Sequence, residues 1–383
     1  VQGNFPSKSS TFDSRQQHEY SRYPNKLTLS PNPEPTMTAA MIDNFRIDPA
    51  GHCGSGAMRN LLRHYCQLDL PEGVVFGVGA GLDSVYMHFQ GAEPPYMLFG
   101  RGSTMEADLA RTLGVDYTEQ IQTDNDLAWE EVKAEIEAGR PTMLSGDIYY
   151  LDYREFKVHF PAHRFILLGF DEARQEVYIA DRVNDYPETC SIDAVRLSRN
   201  PDNPMSTQNL WGKFHSGEVH HSLPDACGIA LGITTARMLG SDQSQLELMR
   251  AFSGGSKVCA TGLDGLALFR EEVRAWPGLA DPEPHITYFD NAIVKFGTGG
   301  GFFRNHFADF LHWSVAQRPD LVDESLAVLG DDIAAQWNAL SPLLQKLAGQ
   351  TGDTALWQQM FSQRDQVYEN EKRLFEGLAV KAG

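Results

Sequence analysis

Cysteine, basic residues and long apolar runs are all scarce in this chain of 383 residues, and each scarcity excludes a class of protein. The five cysteines, Cys53, Cys66, Cys190, Cys227 and Cys259, are odd in number and widely spaced, with no Cys-x-x-Cys pair. Neither a zinc site nor a disulfide framework is expected, and no metal is assigned. Reduced thiols suit a cytoplasmic protein. No apolar run reaches the roughly 18 residues a membrane-spanning helix needs, and the first residues lack the apolar core of a signal peptide. Lys and Arg number 32 against 51 Asp and Glu, a net charge of −19, and the basic residues do not cluster. That balance excludes nucleic acid as a partner. It suits a soluble surface, and also a small amine-bearing substrate. No internal repeat occurs.

What the chain does have is core-forming material, 42% hydrophobic and 10% aromatic residues. Residues 1–36, rich in Ser, Pro, Asn and Gln, lack apolar periodicity and read as a disordered extension, or as upstream sequence before a start near Met37. Residues 37–200 are mixed. Met58, Leu61, Leu62 and Tyr65 share one helical face, so 53–66 is expected to be a helix. Residues 74–78 are apolar and β-branched and predict a short strand, followed by a tight turn at the glycines. Helices are expected over 104–113 and 126–138, the second stopped by Gly139 and Pro141. Residues 142–145, 164–169 and 176–180 read as buried strands, and 193–197 as either a helix or a short strand. Residues 201–225 carry Pro, Asn, Ser, Gly and three histidines, and predict a linker or a loop over the site. From 226 to 383 the pattern turns helical, with long amphipathic stretches over 263–273, 302–315, 321–346 and 355–378. The expected class is α+β, a catalytic domain with a central antiparallel sheet followed by an all-helical domain.

A catalytic thiol needs a lowered pKa, a base within reach and donors for an oxyanion. Cys53 stands in His52-Cys53-Gly54-Ser55-Gly56, directly before the periodic helix. A cysteine at a helix N-terminus meets free backbone N–H groups and the positive end of the macrodipole, and both favour thiolate. Gly54 and Gly56 each cost helix propensity, about 1 kcal/mol relative to Ala, and leave space for a substrate arm to approach. A buried structural cysteine at a helix start would need an explanation for both.

The base is expected on a hairpin. The strand beginning at His163 is followed by the polar turn Asp171–Gln175 and the strand ending at Asp181. With the turn centred on Glu172, antiparallel pairing sets His163 across from Asp181, on one face and about 5 Å apart at Cβ. A slip of one residue would part them. In that register Asp181 fixes the imidazole, whose other nitrogen is free for the thiol.

This order, Cys then His then Asp with the last two on a hairpin, resembles papain-like thiol enzymes, especially the bacteriocin leader-processing cysteine peptidases. The stretches HCGSGAMRNLL (52–62), FGVGAGLDSVYM (76–87), SGDIYYLDY (145–153), HRFILLGFD (163–171) and VYIADR (177–182) resemble the BtrH family, named for butirosin biosynthesis. The segments GLDGLALFREEVRAW (262–276) and GTGGGFFRNHFADFL (297–311) are similar to the domain that usually follows. The resemblance implies a cysteine-dependent acyltransferase of secondary-metabolite assembly, moving an acyl group from a carrier-protein thioester to an amine. It implies no bound cofactor, and 4′-phosphopantetheine only as part of the donor. A hydrolase (thioesterase or peptidase) or a cyclase would use the same three residues, and a carrier-binding module without catalysis is the alternative from another class. Papain-like peptidases usually carry a Gln shortly before the cysteine, and residues 46–51 hold none. The oxyanion donors are then His52 or a backbone N–H such as that of Gly54.

Further candidates follow. Asp147, at a strand end, is expected to bind the acceptor amine, or else to cap a turn. Asp83 and Tyr86, beyond the glycine turn, are expected to line the cleft. Residues 297–301 lack the Gly-Lys-Ser/Thr ending of a phosphate loop and read as a turn. His215, His220 and His221 have no metal-ligand spacing. The Leu and Phe stripes of the C-terminal helices suit a core, or a docking face for a carrier protein or a second subunit in a homodimer. Carrier proteins are commonly acidic, as this chain is, so docking calls for a local basic patch such as Arg59 and Arg63, or for an apolar surface.

Overall fold

The structure, a computed structural model, describes residues 38–89, 93–202, 206–252 and 257–382. The extension expected over 1–36 lies outside them.

Ten strands and twelve helices follow one another along the described chain. The first half holds β1 (Ala39–Met41), α1 (Cys53–Cys66), α2 (Glu72–Val78), β2 (Leu82–His88), β3 (Tyr96–Arg101), α3 (Met105–Leu113), β4 (Val115–Gln120) and α4 (Asn125–Glu137). It continues through β5 (Thr142–Gly146), β6 (His163–Asp171), β7 (Glu176–Ala180), β8 (Glu188–Ser191) and α5 (Ile192–Arg199). The second half holds β9 (Trp211–Val219), α6 (Leu223–Met238), α7 (Ser244–Phe252), β10 (Lys257–Ala260) and α8 (Gly262–Ala275). Four helices complete it, α9 (Glu283–Val294), α10 (Arg304–Gln317), α11 (Glu324–Ala348) and α12 (Thr354–Ala382). The class is α+β, an antiparallel sheet in the N-terminal part followed by a helical region.

The main sheet runs β4-β9-β5-β6-β7-β8, with β1 also paired to β6, and every pairing is antiparallel. A smaller sheet runs β10-β2-β3. Alternation along the strands sends apolar side chains to both faces of the main sheet. One face packs Leu144, Phe165, Leu167 and Ile179 against Trp129, Val132 and Ile136 of α4. The other packs Ile166 and Leu168 into a core that contains Met58 and Leu61 of α1, Val75 and Phe76 of α2, and Phe307, Phe310 and Trp337 of the C-terminal helices. A single apolar core thus joins the sheet region to the helical region, and the Leu and Phe stripes expected to form core lie inside it.

Three expectations are corrected. Residues 74–78 are helical, not a strand, and the strand follows the glycine turn instead. A short run that is buried on all sides carries no period to separate helix from strand. Here Glu72 sits in the first turn, favoured by the helix dipole, and Gly77 lets the Phe310 ring lie directly against the backbone. Residues 211–219, placed in a linker or loop, form β9 in the middle of the sheet between β4 and β5. Only the first part of β9 is buried, and its later residues reach solvent, which is why the segment reads as polar. The helical region is therefore not purely helical, since β9 and β10 pair back onto the two sheets. Residues 193–197 lie in a helix, capped by Ser191. Among the described residues no helix is long and apolar enough to cross a membrane.

Candidate active site

Cys53 is the first residue of α1 and His52 is its N-cap. The turn that presents the thiol is clamped from α2. Glu72 accepts from the backbone N–H of Gly51 at 2.9 Å and of His52 at 2.8 Å, and from Ser55 Oγ at 3.0 Å. Of the first-turn N–H groups of α1, that of Ser55 donates to His52 Nδ1 at 3.1 Å, while those of Cys53 and Gly54 have no intrahelical partner.

His163 opens β6 and Asp181 directly follows β7. The hairpin register differs from the expected one. Asp171 pairs with Glu176 and Gly169 with Tyr178, and after a bulge Leu167 pairs with Ile179 and Ile166 with Ala180. Continued toward the strand start, this register sets His163 across from Val183, two residues beyond Asp181. A shift of two keeps both side chains on one face. Without the bulge the offset would be odd and Asp181 would point away. His163 Nε2 lies 3.0 Å from Asp181 Oδ1, close enough for the imidazolium to pair with the carboxylate. Asp181 is held in turn by the Tyr153 hydroxyl, which donates to Oδ2, and by the Arg182 N–H, 2.6 Å from Oδ1.

Cys53, His163 and Asp181 are 6%, 2% and 7% exposed, so the three meet away from water. Burial pushes the Cys53 thiol up, but the imidazoles of His163 and then His52 pull it well below the ordinary thiol value. Burial pushes His163 down, yet the charge and hydrogen bonding of Asp181, followed by Cys53, raise it to about 10. Burial likewise opposes ionisation of Asp181, and His163 overrides it, holding the carboxyl far below its usual range. The directions agree on a thiolate–imidazolium pair braced by a carboxylate. Other cysteines behave oppositely: burial lifts Cys66 to about 11, burial and then Asp152 lift Cys190 to about 12, and burial raises Cys227.

The two glycines after the thiol are filled by the protein itself, not by space for a substrate. A Cβ on Gly54 would stand 2.4 Å from Glu106 Oε1 and 2.8 Å from Arg101 Nη1, and one on Gly56 would stand 2.3 Å from Ala50 Cβ. Glu106 is fully buried and bonded by Arg101 Nη2 at 2.9 and 3.2 Å, with Arg164 Nε 3.5 Å away. Burial opposes its charge, but Arg101 and Arg164 hold it down at about 2. Arg101 Nη1 also lies 2.8 Å from His52 Nε2, while His52 Nδ1 faces Ser55. With both ring nitrogens engaged, His52 has no spare N–H for an oxyanion, and the expected donors reduce to backbone groups such as the N–H of Gly54.

The expected substrate residues are spent elsewhere. Asp147 is buried and caps a short turn, accepting from Tyr149 N, Phe160 N and His159 Nδ1 at 3.1, 2.8 and 2.8 Å. Asp83 is buried in the smaller sheet and accepts from Ser84 N and Gly262 N, so it lines no open cleft. Burial raises its pKa. Tyr86 packs against Phe269 of α8 and donates to Glu272 at 3.3 Å. Arg59 is taken by the carbonyls of Asp48 and Pro49, and Arg63 by the Asp48 carboxylate at 2.5 Å. His215 meets Thr118 and His221 the Thr112 carbonyl.

The helical region reaches the site. The Phe303 ring stands edge-on to His52 at 5.3 Å, and a Cβ on Gly51 would stand 3.1 Å from Gly299 Cα and 3.4 Å from His306. Glycines 299–301, expected as a turn, all have positive φ, and so do Phe302 and Phe303 at 52° and 69°. Sequence reasoning missed Arg101, Glu106, Tyr153, Glu72 and Phe303. Tyr153 lies within a stretch whose motif was visible, but only the contact shows its partner.

An α+β fold with a buried cysteine, histidine and aspartate converging at one helix N-terminus defines the class. Residues 52–182 match the family model of butirosin biosynthesis protein H, N-terminal, and residues 192–378 match that of a domain of unknown function, DUF4872. The first of these matches spans the stretch that runs from His52 and Cys53 through His163 to Asp181, and the second spans most of the helical region. No curated protein matches it.

Proposed function

We propose that the protein is a cysteine-dependent acyltransferase, taking an acyl group from a pantetheine thioester on an acyl or peptidyl carrier protein and passing it to a small amine. The match of residues 52–182 to a family model named for butirosin biosynthesis supports a role in antibiotic biosynthesis. The observation that carries the reading is the Cys53 thiol, drawn well below its ordinary pKa beside a His163 that Asp181 braces.

The steps follow from those three groups. The Cys53 thiolate attacks the thioester carbonyl carbon, and the oxyanion is met by first-turn N–H groups of α1. The carbon–sulfur bond to pantetheine breaks, and the departing thiolate takes the His163 proton. The neutral imidazole then accepts a proton from the amine as its nitrogen attacks acyl-Cys53, and the cysteine leaves as thiolate. Nε2 of His163 faces Asp181, so Nδ1 is the nitrogen that exchanges protons. Burial of the three residues favours an amine over water as acceptor, because a closed centre protects the acyl-enzyme from hydrolysis.

Incubation of wild type and Cys53→Ala with acyl-pantetheine thioesters, followed by intact-mass spectrometry, tests the reading. An acyl adduct on wild type alone, discharged by amines faster than by water, is expected. Discharge by water at the same rate turns the assignment to a hydrolase, and absence of any adduct removes catalysis through Cys53.

A further inference from the structure

Close to the thiol, one end of the main sheet carries polar side chains that the proposed chemistry leaves idle. Ser145 on β5 and Arg164 on β6 are direct cross-strand partners. Parity sends both to the face of Met143, Ile166 and Leu168, which is the face that α1 covers. Cys53 is the first residue of that helix. Both side chains are buried, Ser145 fully and Arg164 to all but 7% of its surface. Neither is satisfied. Among the described residues the Ser145 hydroxyl has no hydrogen-bond partner. Arg164 Nε stands 3.5 Å from Glu106 Oε1 and its Nη2 stands 3.6 Å from Glu119 Oε1, both long for a hydrogen bond. Glu119, on β4, is underused in the same way, since its Oε1 takes the Tyr117 hydroxyl only at 3.3 Å.

The cluster borders the nucleophile. Glu106 Oε1, which Arg164 faces, is the atom that a Cβ on Gly54 would meet at 2.4 Å. Burial opposes the charge of Arg164, and Glu106, Glu119, Tyr117 and then the Cys53 thiolate override it. Two guanidiniums, Arg101 and Arg164, are matched here by two carboxylates, Glu106 and Glu119. An entering ion of either sign would therefore meet a like charge at short range. The unmet capacity is neutral hydrogen bonding, with donors on Arg164 and Ser145 and an acceptor on Glu119. A secondary amide is the complement, because it offers one C=O and one N–H without charge. A pantetheine thioester carries such an amide only two methylenes from its sulfur. That amide must follow the thioester to the thiol it acylates.

We propose that Arg164, Ser145 and Glu119 form a subsite for this amide: the guanidinium and the hydroxyl donate to its carbonyl oxygen, and the Glu119 carboxylate accepts its N–H. The subsite seats the thiol arm of the donor while the thioester carbon faces Cys53. The inference rests on the pantetheine-thioester reading and adds the residues that recognise the donor on its thiol side.

The test compares two butanoyl thioesters, one of N-acetylcysteamine, which keeps the amide, and one of pentanethiol, which lacks it. Acylation of Cys53 in the full chain is followed by intact-mass spectrometry, and the readout is the ratio of the two rate constants, amide over alkyl. A variant that merely weakens the thiol or unfolds part of the sample slows both donors alike and leaves the ratio unmoved. Arg164→Gln, which removes the charged donor, is expected to cut the wild-type ratio by about tenfold. Ser145→Ala, which leaves every charge in place, is expected to cut it by about threefold, and it decides the matter should Arg164→Gln fail to fold. An unchanged ratio in the folded variants overturns the inference. So does a variant effect that follows the replacement of butanoyl by methoxyacetyl and not the change of thiol, because the donors then serve the acyl group. Adducts that form with an unchanged ratio count against the subsite alone. Adducts from neither thioester remove the acyltransferase reading, and the subsite with it.

Discussion

His163 Nε2 stands 3.0 Å from Asp181 Oδ1 although the two residues are not paired across their hairpin. A bulge in β6 restores the face that an unbroken register would have lost. Asp181→Asn keeps the size of this side chain and removes its charge. His163 then loses the main influence that raises it, and the thiolate loses its counter-ion. Acyl-enzyme formation at neutral pH is expected to slow by about 10²-fold, toward the lower end of what a positioned acid–base group contributes. Rapid-quench mass spectrometry reads that rate, and an unchanged rate contradicts the role given to Asp181.

The same pair sets a pH window for stability. Asp181 is depressed in the fold, so its contribution is present above the unfolded value of about 3.9 and is lost as pH falls through the lower folded value. His163 is raised to about 10, so its contribution is complete below the unfolded value of about 6.5 and is lost as pH climbs through about 10. The difference in Tm between wild type and Asp181→Asn is therefore largest between about pH 4 and 6.5, and narrows on either side. Calorimetry across that range checks it; a difference that grows steadily toward alkaline pH would run against the assigned signs.

Tyr153 donates to Asp181 Oδ2 from a loop between β5 and β6. Tyr153→Phe leaves a buried carboxylate oxygen without its phenol donor, at a cost of about 1–3 kcal/mol. Urea unfolding is expected to show that loss together with a slower acyl-enzyme step. Stability and rate both equal to wild type would make the contact incidental.

Gly54 and Gly232 give opposite responses to alanine. At Gly54 the new Cβ meets Glu106 and Arg101 at 2.4 and 2.8 Å, so overpacking of about 1–3 kcal/mol is expected. At Gly232, exposed within α6, nothing lies within 4 Å, and the helix gains about 0.5–1 kcal/mol from the better helix former. Thermal melts of the two variants moving in the same direction would refute the packing argument around the thiol.

Local patterns made much of the fold legible. The face of Met58, Leu61 and Leu62 revealed α1, and alternation with a polar turn revealed β6 and β7. The facing of His163 and Asp181 survived a register wrong by two residues, because side-chain direction in a strand depends only on parity. The strand β9 was hidden, since its later half is exposed and its flanks resemble a loop. The setting of the thiol was hidden for another reason. Arg101 and Glu106 are remote from Cys53 in the chain, and a lone arginine at a strand end carries no local sign that it will meet His52. Asp147 stayed open between substrate ligand and turn cap because a capping carboxylate and a binding one look alike until their donors are seen.

The proposed chemistry requires Cys53 to be a thiolate at neutral pH while Cys66, Cys190 and Cys227 are not. The ultraviolet absorbance of thiolate, measured as wild type minus Cys53→Ala through a pH titration, reads that state without asking any reagent to enter the buried site. The difference band is expected to be present at pH 7 and to fade only in acid. A band that appears only above the ordinary thiol value of about 8.5 would contradict the account.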